Sequence, residues 1–330
     1  MKSICYIIPY FGVLPKNFSL WLLGCKMNPT VNWIVLTDDH TSYDYPPNVL
    51  AISVEYEIIK ERIRKNYNFD VLIDRPWRLA LFKPAYGEIF KEELAGYDFW
   101  GYCDVDLMWG DIRKFYTDTV LDSYERIGFL GHSCLYCNTE EINSRYRIIV
   151  PGEINYIDVF SGESGYSFDE NGMDAIYKYL GISYFQDIVL IDLEKYEAGF
   201  FCNHFPISEK KKNRYQIFTW ENGHIFRHYL WNNKIIREEY LYIHFFCRPM
   251  KYSVSTVSQS TIYYIYPDVM TDEPLPINMK TLKRYGTRSK IAFVINSMWV
   301  NRRKINGRRI KNNICNLINY IKKSNGYCRS

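Results

Sequence analysis

Short apolar runs alternate with segments of helical spacing over the first 105 residues of the chain. Unbroken apolar runs predict buried strands, whereas apolar residues that recur every three or four positions predict helices with one buried face. Strands are therefore expected at residues 4–8, 33–36, 49–54 and 97–103, and helices at 18–27, 55–66 and 85–94. This alternation predicts the α/β fold class, with a doubly wound and mostly parallel sheet.

Turn residues mark β-hairpins in the second half of the chain. The Asn222-Gly223 pair separates two apolar runs at 215–220 and 224–230, which is a typical hairpin pattern. A second turn at Asn232-Asn233 leads to a strand expected over 240–246, so a C-terminal β-meander is predicted. Between the two regions we expect a strand at 127–130 and a short helix at 173–180.

Composition and charge divide the chain into two parts. Apolar residues make up 47% and aromatic residues 17% of the sequence, which excludes a disordered protein. Three prolines indicate a linker near residue 270, so we expect one domain over 1–270 and an extension over 271–330. Of the 41 basic residues, 14 lie in 274–330, where no acidic residue occurs. The remaining 27 basic against 37 acidic residues leave residues 1–273 with a formal charge of about −10.

The extension contains a basic amphipathic segment at residues 308–323. Ile310, Ile314, Leu317 and Ile321 follow one another at helical spacing, with basic residues near both ends of the stripe. This pattern predicts a helix that binds an anionic membrane surface; docking of the same stripe on the acidic domain is the alternative. No nucleic-acid-binding motif accompanies the charge, so nucleic acid is not an expected partner.

The cysteine pattern indicates a reducing compartment, and the hydropathy pattern indicates neither a secretory signal nor a membrane span. The nine cysteines are scattered, and the single close pair, Cys134 and Cys137, has no second pair with which to form a metal site. The apolar run at the amino terminus is too short for a secretory signal, and no stretch approaches the ~20 apolar residues of a membrane span. We therefore expect a cytoplasmic protein held peripherally on the inner face of the plasma membrane.

The segment Asp104-Val105-Asp106 carries the most specific chemistry. It follows the apolar strand predicted at 97–103, at the carboxyl end where open α/β sheets bind ligands. Carboxylates are suited to Mn²⁺ or Mg²⁺, which usually bridge to the phosphates of a substrate. A surface turn with two acidic residues is the alternative interpretation, because this short motif also occurs by chance.

Six segments, in order along residues 1–250, resemble a bacterial family of polysaccharide-biosynthesis glycosyltransferases from capsule and O-antigen gene clusters. That family is expected to have a GT-A-like fold. Each segment alone is short, but six in sequence are fairly specific, and the extension beyond 270 is not covered. The segments are Pro9-Tyr10-Phe11-Gly12, Trp33 through Asp39, Lys83 through Phe90, Tyr97 through Asp106, Phe168-Asp169-Glu170 and Tyr242 through Met250.

The resemblance implies a hexosyl transfer from a nucleotide-sugar, UDP-linked, to a lipid-linked glycan acceptor. Asp104 and Asp106 would bind the divalent cation chelated by the donor diphosphate, with Asp104 also touching the ribose. His244 would supply a third metal ligand, with a strand histidine in the core as the alternative. A basic residue is expected on the donor, either Lys83 or its rival Arg78.

Further residues are expected around the donor and the acceptor. Tyr10, Thr37 and Asp38 end the first two predicted strands and would hold the base and the ribose. Arg248 and Lys251 would neutralise the diphosphate, unless they belong to a solvated basic loop.

The segment Phe168-Asp169-Glu170 is the candidate for the catalytic carboxylate. It lies in a Gly-rich stretch before a predicted helix. Asp169, or else Glu170, would deprotonate the acceptor hydroxyl in an inverting reaction or orient the donor sugar in a retaining one. Asp169 as a helix cap is the alternative. His132 is a further candidate for the acceptor side, although a core or surface histidine fits it better.

Two other functions remain open at the level of sequence. A non-catalytic module that binds nucleotide-sugars or glycans would use the same residues for binding. A phosphatase of the haloacid dehalogenase type also carries two aspartates after a strand, but on its first strand, whereas here the pair lies 104 residues into the chain. Dinucleotide-binding and P-loop motifs are absent from the sequence.

Overall fold

A computed structural model describes residues 1–286, apart from 163–166, 195–196, 207–208, 210–211, 213, 247 and 249. Its central sheet has six strands in the order β3-β2-β1-β4-β7-β6. Strands β1 to β4 are parallel, and β7 and β6 continue the sheet in antiparallel pairs. The strands of this sheet are β1 (Ile4–Pro9), β2 (Val31–Thr37), β3 (Val49–Ser53), β4 (Phe99–Cys103), β6 (Arg126–Leu130) and β7 (Ser133–Cys137). The expected α/β fold class with a mostly parallel central sheet is confirmed.

Helices cover the two faces of this sheet, with short 3₁₀ segments between them. The α-helices are α1 (Phe18–Lys26), α2 (Tyr56–Lys65), α3 (Tyr86–Ile89), α4 (Ile112–Phe115), α5 (Asp118–Ser123), α6 (Glu140–Ser144), α7 (Tyr156–Ser161), α8 (Met173–Leu180) and α9 (Met279–Gly286). The 3₁₀ helices span Pro76–Ala85 and Arg145–Arg147, and a π-helical turn spans Phe168–Gly172.

The central strands are apolar because both of their faces are buried. Along β1, Cys5 and Ile7 pack into one hydrophobic cluster, while Ile4, Tyr6 and Ile8 pack into the cluster on the opposite face. A parallel sheet covered on both sides has this continuous apolar pattern. The carboxyl ends of β1, β2 and β4 therefore meet at one edge, outside both cores.

Two smaller sheets complete the described part of the chain. A six-stranded sheet has the order β11-β10-β9-β14-β15-β13, and a three-stranded sheet has the order β5-β12-β8. Their strands are β5 (Leu107–Trp109), β8 (Ile191–Asp192), β9 (Gln216–Glu221), β10 (His224–Trp231), β11 (Lys234–Tyr240), β12 (Tyr242–His244), β13 (Lys251–Ser253), β14 (Ile262–Tyr266) and β15 (Val269–Thr271). The hairpin at Asn222-Gly223 is present, as the sequence predicts.

The end of the predicted meander differs from the expected single strand over 240–246. Strand β11 pairs with β10 and ends at Tyr240, and the chain then enters the three-stranded sheet as β12. Leu241 separates the two strands, and its backbone N–H bonds to the carbonyl of Val189. Because β12 pairs with β5, this change of sheet brings His244 beside the residues that follow β4.

The helix expected at 85–94 is replaced by the 3₁₀ helix Pro76–Ala85 followed by the single turn α3. Pro84 lies inside the 3₁₀ segment and lacks a backbone donor. The strand β7 was not predicted at all, although it contains Cys134 and Cys137. These cysteines are three positions apart on a strand, so their side chains lie on opposite faces.

The predicted amphipathic helix at 308–323 lies outside the described residues. The last described helix, α9, packs Leu282 and Tyr285 against β9, β10 and β14. None of the helices in the described part of the chain combines the length and the apolar character needed to cross a bilayer.

Gly101, in the middle of β4, tests how closely the central sheet is packed. A Cβ at this position would lie 2.6 Å from Cδ2 of Leu135 and even closer to the carbonyl oxygen of Cys134. We expect Gly101→Ala to lower the free energy of unfolding by about 1–3 kcal/mol in urea denaturation. Gly199→Ala is the matched control, because the nearest atom to its added Cβ is 3.8 Å away. Equal stability of the two variants would contradict the described register of β4 and β7.

Candidate active site

Polar residues from three parallel strands gather at the carboxyl edge of the central sheet. Tyr10 follows β1, Thr37 ends β2 and is followed by Asp38, and Asp104 follows β4. The Asp38 carboxylate accepts a hydrogen bond from the backbone N–H of Gly12 (2.7 Å), which fixes the two loops against each other. This edge is where doubly wound sheets bind nucleotides, so the positions expected for base and ribose lie together with the first aspartate of the pair.

Asp104, Asp106 and His244 converge at this edge. Strand β12 pairs with β5, so that His244 lies opposite Leu107, the residue after Asp106. The backbone N–H of Phe245 bonds to the Asp106 carbonyl, which fixes this register beyond the strand. One ligand atom from each of the three side chains lies within 4.8 Å of the other two, and Nε2 of His244 is 3.5 Å from Oδ1 of Asp106.

Asp192 holds the other side of the His244 ring. The parallel pairing of β8 with β12 places the two residues opposite each other, and Nδ1 of His244 is 2.7 Å from Oδ1 of Asp192. The second oxygen of Asp192 accepts a hydrogen bond from the Asn203 side chain (2.9 Å) and contacts Nε2 of His204 at 3.1 Å. Asp192 thereby directs Nε2 of His244 towards Asp106, as carboxylates do behind metal-bound histidines.

The charges around His244 determine its protonation. Burial alone would lower the pKa of His244, but its hydrogen bonds to Asp106 and Asp192 raise that pKa to about 9. For Asp192, burial would raise the pKa, because it disfavours the charged carboxylate. The hydrogen bonds of Asp192 to His204 and His244 nevertheless lower its pKa well below the ordinary value. The metal-free site is therefore an imidazolium held between two carboxylates, and a bound cation would replace the proton on Nε2.

His132 lies flat against His244, with ring centroids 4.1 Å apart. Its Nδ1 contacts the hydroxyl of Tyr242 at 3.0 Å, and among the described residues its buried Nε2 has no hydrogen-bond partner. Burial and the nearby His244 charge lower the pKa of His132 well below its usual value. His132 is therefore a buried neutral ring that packs behind the site, in agreement with the core interpretation.

A chain of hydrogen bonds joins Asp104 to the Asp169–Glu170 segment. Nζ of Lys83 donates to Oδ1 of Asp104 (2.6 Å) and to the carbonyl of Gly131 (2.7 Å). The backbone N–H of Gly131 donates in turn to Oε1 of Glu170 (2.7 Å). A Cβ at Gly131 would meet the Asp169 carboxylate, so a larger residue there would displace that side chain. The catalytic carboxylates predicted from the sequence thus lie next to the predicted metal site.

The pKa values of Lys83 and Asp169 are both raised in this cluster. Burial raises the pKa of Asp169 to about 6, with Glu170 and Asp104 adding to the rise and the Lys83 cation opposing it. The pKa of Lys83 is raised despite its burial, because Asp104 and Asp169 stabilise the ammonium. A partly buried carboxylate with a pKa near neutrality is suited to accept a proton at physiological pH.

The donor set fits a hard divalent cation. Two carboxylates and one imidazole nitrogen lie within 4.8 Å of one another, with partial exposure that leaves room for a substrate. Oxygen and imidazole ligands suit Mn²⁺, and Mg²⁺ if oxygen ligands dominate. Asp104, Asp106 and His244 are therefore the residues that would hold the ion.

Two of the predicted donor-binding cations bind main-chain carbonyls instead. The buried Arg78 donates to the carbonyls of Leu72 and Gly162, which ties two loops together. The guanidinium of Arg248, also buried, donates to four carbonyls, those of Glu194, Ala198, Gly199 and Pro267. These contacts give both arginines a structural role that sequence reasoning did not foresee.

The third cation, Lys251, begins β13 and has an exposed side chain. Its backbone N–H bonds to the carbonyl of Asp268. Its expected role on the diphosphate stays a prediction.

Sequence reasoning missed Asp192, His204 and Phe246. Asp192 had a usable signal, because an apolar run at 188–191 ends in this aspartate as the run at 99–103 ends before Asp104. The strand β8 is only two residues long, however, and its pairing with β12 leaves no periodic pattern. His204 lies in a loop with no local motif, and Phe246 lies within the segment Tyr242 through Met250 but was given no role of its own.

The fold and the site together define an α/β protein with a carboxylate–histidine centre at the switch point of its sheet. The chain belongs to the family of unknown function DUF6625, whose model matches residues 6–274. No curated protein sequence matches the chain. Membership in this family assigns no activity, and the expected relation to capsule and O-antigen enzymes stays a prediction.

Several solved glycosyltransferase structures resemble the chain at low identity. The galactosyltransferase LgtC in complex with donor and acceptor sugar analogues is 12% identical, with a TM-score of 0.33 over 58% of this chain and 75% of that one. An active-site mutant of LgtC is 13% identical, with a TM-score of 0.37 over 76% and 88%. The glycosyltransferase GlyE of Streptococcus pneumoniae TIGR4 is 10% identical, with a TM-score of 0.30 over 56% and 45%. Likeness at this level does not assign an activity, which is argued below from the residues.

The pKa of His244 predicts that metal binding releases a proton. Because Nε2 is protonated below pH 9 and must be free to ligate, Mn²⁺ binding at pH 7 should release close to one proton. Calorimetry in two buffers of different ionisation enthalpy measures this number. Affinity should rise by up to about tenfold per pH unit between pH 6.5 and 8.

Asp106→Asn should weaken Mn²⁺ at least tenfold. Asp98→Asn, which removes a carboxylate at the other end of β4, is the control and should bind normally. Equal losses in both variants, or no proton release, would contradict the assigned ligands.

Proposed function

We propose that this protein is a metal-dependent glycosyltransferase that moves a hexose from a nucleotide-sugar to a glycan acceptor. The observation that carries the proposal is the convergence of Asp104, Asp106 and His244 within 4.8 Å at the carboxyl edge of the sheet. A cation there is suited to a diphosphate, and the adjacent loops after β1 and β2 are suited to a nucleoside. UDP is the nucleotide that we propose for the donor.

Different residues of the chain would bind the nucleoside and the diphosphate of the donor. Tyr10 and Asp38 would hold the base and the ribose, and a cation on Asp104, Asp106 and His244 would stabilise the charge of the departing diphosphate. Lys83 keeps the Asp104 carboxylate oriented through its 2.6 Å bond.

Asp169 is the proposed proton acceptor for the incoming hydroxyl if the reaction inverts the anomeric centre. Its raised pKa and its nearness to the Lys83 cation, which also binds Asp104, support this role. In a retaining reaction the same carboxylate would orient the donor sugar.

The acceptor and the location of the protein form a separate part of the proposal. We propose a lipid-linked glycan at the inner face of the plasma membrane, as in polysaccharide biosynthesis. This part of the proposal is supported by the distribution of charge along the sequence, in which a segment with 14 basic residues follows an acidic domain. A non-catalytic module that binds nucleotide-sugars is the competing function, and it predicts binding without turnover.

Donor binding is tested by thermal unfolding with UDP-, GDP-, dTDP- and CMP-sugars, with and without Mn²⁺. A ligand at 100 times its Kd stabilises the folded state by about 2.7 kcal/mol, so one UDP-sugar should raise the Tm only with Mn²⁺. Asp106→Asn should lose this rise and Asp98→Asn should keep it. Slow hydrolysis of the same donor separates an enzyme from a binding module. No Tm shift with any donor would contradict the proposal.

The role of Asp169 predicts a specific pH profile. Because the carboxylate accepts a proton only when ionised, kcat should rise through a pKa near 6 and level off above pH 7. Asp169→Asn should lower kcat by 100-fold or more while leaving Mn²⁺ binding within a factor of about two. Glu170→Gln is the comparison, because Glu170 is bound to the Gly131 N–H and should affect kcat less. An unchanged profile in Asp169→Asn would contradict the role.

A further inference from the structure

Backbone strain marks two bulky residues beside the candidate site. Five described non-glycine residues have a positive φ, and three of them, Asn222, Asn232 and Asn233, lie in hairpin turns where asparagine is favoured. The other two are His204 (φ 63°) and Phe246 (φ 47°). They flank the Asp192–His244 pair from two different loops.

Phe246 combines this strain with exposure. Its side chain is 41% exposed, although phenylalanine gains stability by burial. The ring lies 5.7 Å from the His244 ring, centroid to centroid, and therefore borders the metal-ligand cluster. Single exposed aromatic residues are common on proteins, but a bulky residue at positive φ is strained. A strained and exposed ring at the rim of a site points to a ligand.

The surrounding loop is built to hold Phe246 in this conformation. On one side, the Phe245 N–H bonds to the Asp106 carbonyl, and on the other, the Arg248 N–H closes a turn onto the Phe245 carbonyl (2.7 Å). The four carbonyls bound by the buried Arg248 side chain fix this turn to the neighbouring loops. Residues in sparsely populated conformations persist only when their surroundings determine them in this way.

We propose that Phe246 is a binding residue whose ring face stacks on the apolar face of a hexose beside the metal site. This inference rests on the proposed function and adds a sugar-recognising residue to it. The negative face of an aromatic ring attracts the polarised C–H groups of a pyranose, and the planar ring costs little conformational entropy when a ligand binds. The hexose belongs either to the donor or to the acceptor glycan, and the experiment separates the two.

The variants separate the effect of the backbone strain at position 246 from the effect of the aromatic side chain. Phe246→Asn removes the ring but tolerates a positive φ, so it should fold with a Tm equal to or above that of the wild type. Phe246→Trp keeps an aromatic face. Trp77→Asn is the matched control, because Trp77 is 52% exposed and lies in a 3₁₀ helix without positive φ.

Saturation-transfer NMR on the full chain with Mg²⁺, which is diamagnetic and does not broaden ligand signals as Mn²⁺ does, reports which ligand protons touch the protein. The probes are UDP-glucose and UDP-galactose, and separately the free glycans lactose and maltose. We expect saturation of hexose ring protons in one arm, a loss of at least fivefold in Phe246→Asn, and recovery in Phe246→Trp. Uridine protons should stay saturated in every variant, because the ring does not serve the nucleotide.

Each other outcome overturns the inference in a recognisable way. Hexose saturation that persists in Phe246→Asn, or that falls equally in Trp77→Asn, removes Phe246 from sugar binding. Saturated uridine without saturated hexose in the wild type overturns the inference while leaving the donor site intact. No saturation of any probe in the wild type overturns both the inference and the proposed function.

Discussion

Repulsion between carboxylates at the carboxyl edge of the sheet is the constraint on which the site depends. Two like charges 4 Å apart repel by about 4 kcal/mol at an effective dielectric constant of 20. Five acidic side chains meet there against the two cations Lys83 and His244, so the cluster gains from a further positive charge. The five are Asp104, Asp106, Asp169, Glu170 and Asp192. This excess of negative charge supports the proposed binding of a divalent ion.

Short hydrogen-bonded connections between separate sheets keep these charges together. Gly131 joins Lys83 to Glu170 through its own carbonyl and N–H, and the strand β12 carries His244 from the C-terminal meander to the end of β4. Arg248 contributes by fixing the loop after His244 rather than by facing a ligand. Arg78 and Arg248, which were expected to bind the donor, thus bind main-chain carbonyls of the scaffold.

The parts of this site that follow strands could be predicted, because a buried strand leaves an apolar run that ends abruptly at a polar residue. Asp104 and Asp106 were found in this way, and the strand–helix alternation predicted the central sheet. The partners of His244 could not be found, since β8 has two residues and its register depends on contacts distant in sequence. The sequence does not show which carbonyls Arg78 and Arg248 bind. The positive charge of the two arginines was therefore interpreted as a sign of a bound ligand. Strain at Phe246 appears only in the backbone angles.

A crystal structure of the protein with Mn²⁺ and UDP, with the metal located by anomalous scattering, tests the central claim most directly. The account predicts one strong manganese peak in coordination contact with Asp106 and with Nε2 of His244, and with the diphosphate of UDP on its open side. The Asp192 carboxylate should remain bound to Nδ1 of His244. A manganese peak held by other residues, or a site empty of manganese in crystals saturated with it, would contradict the account.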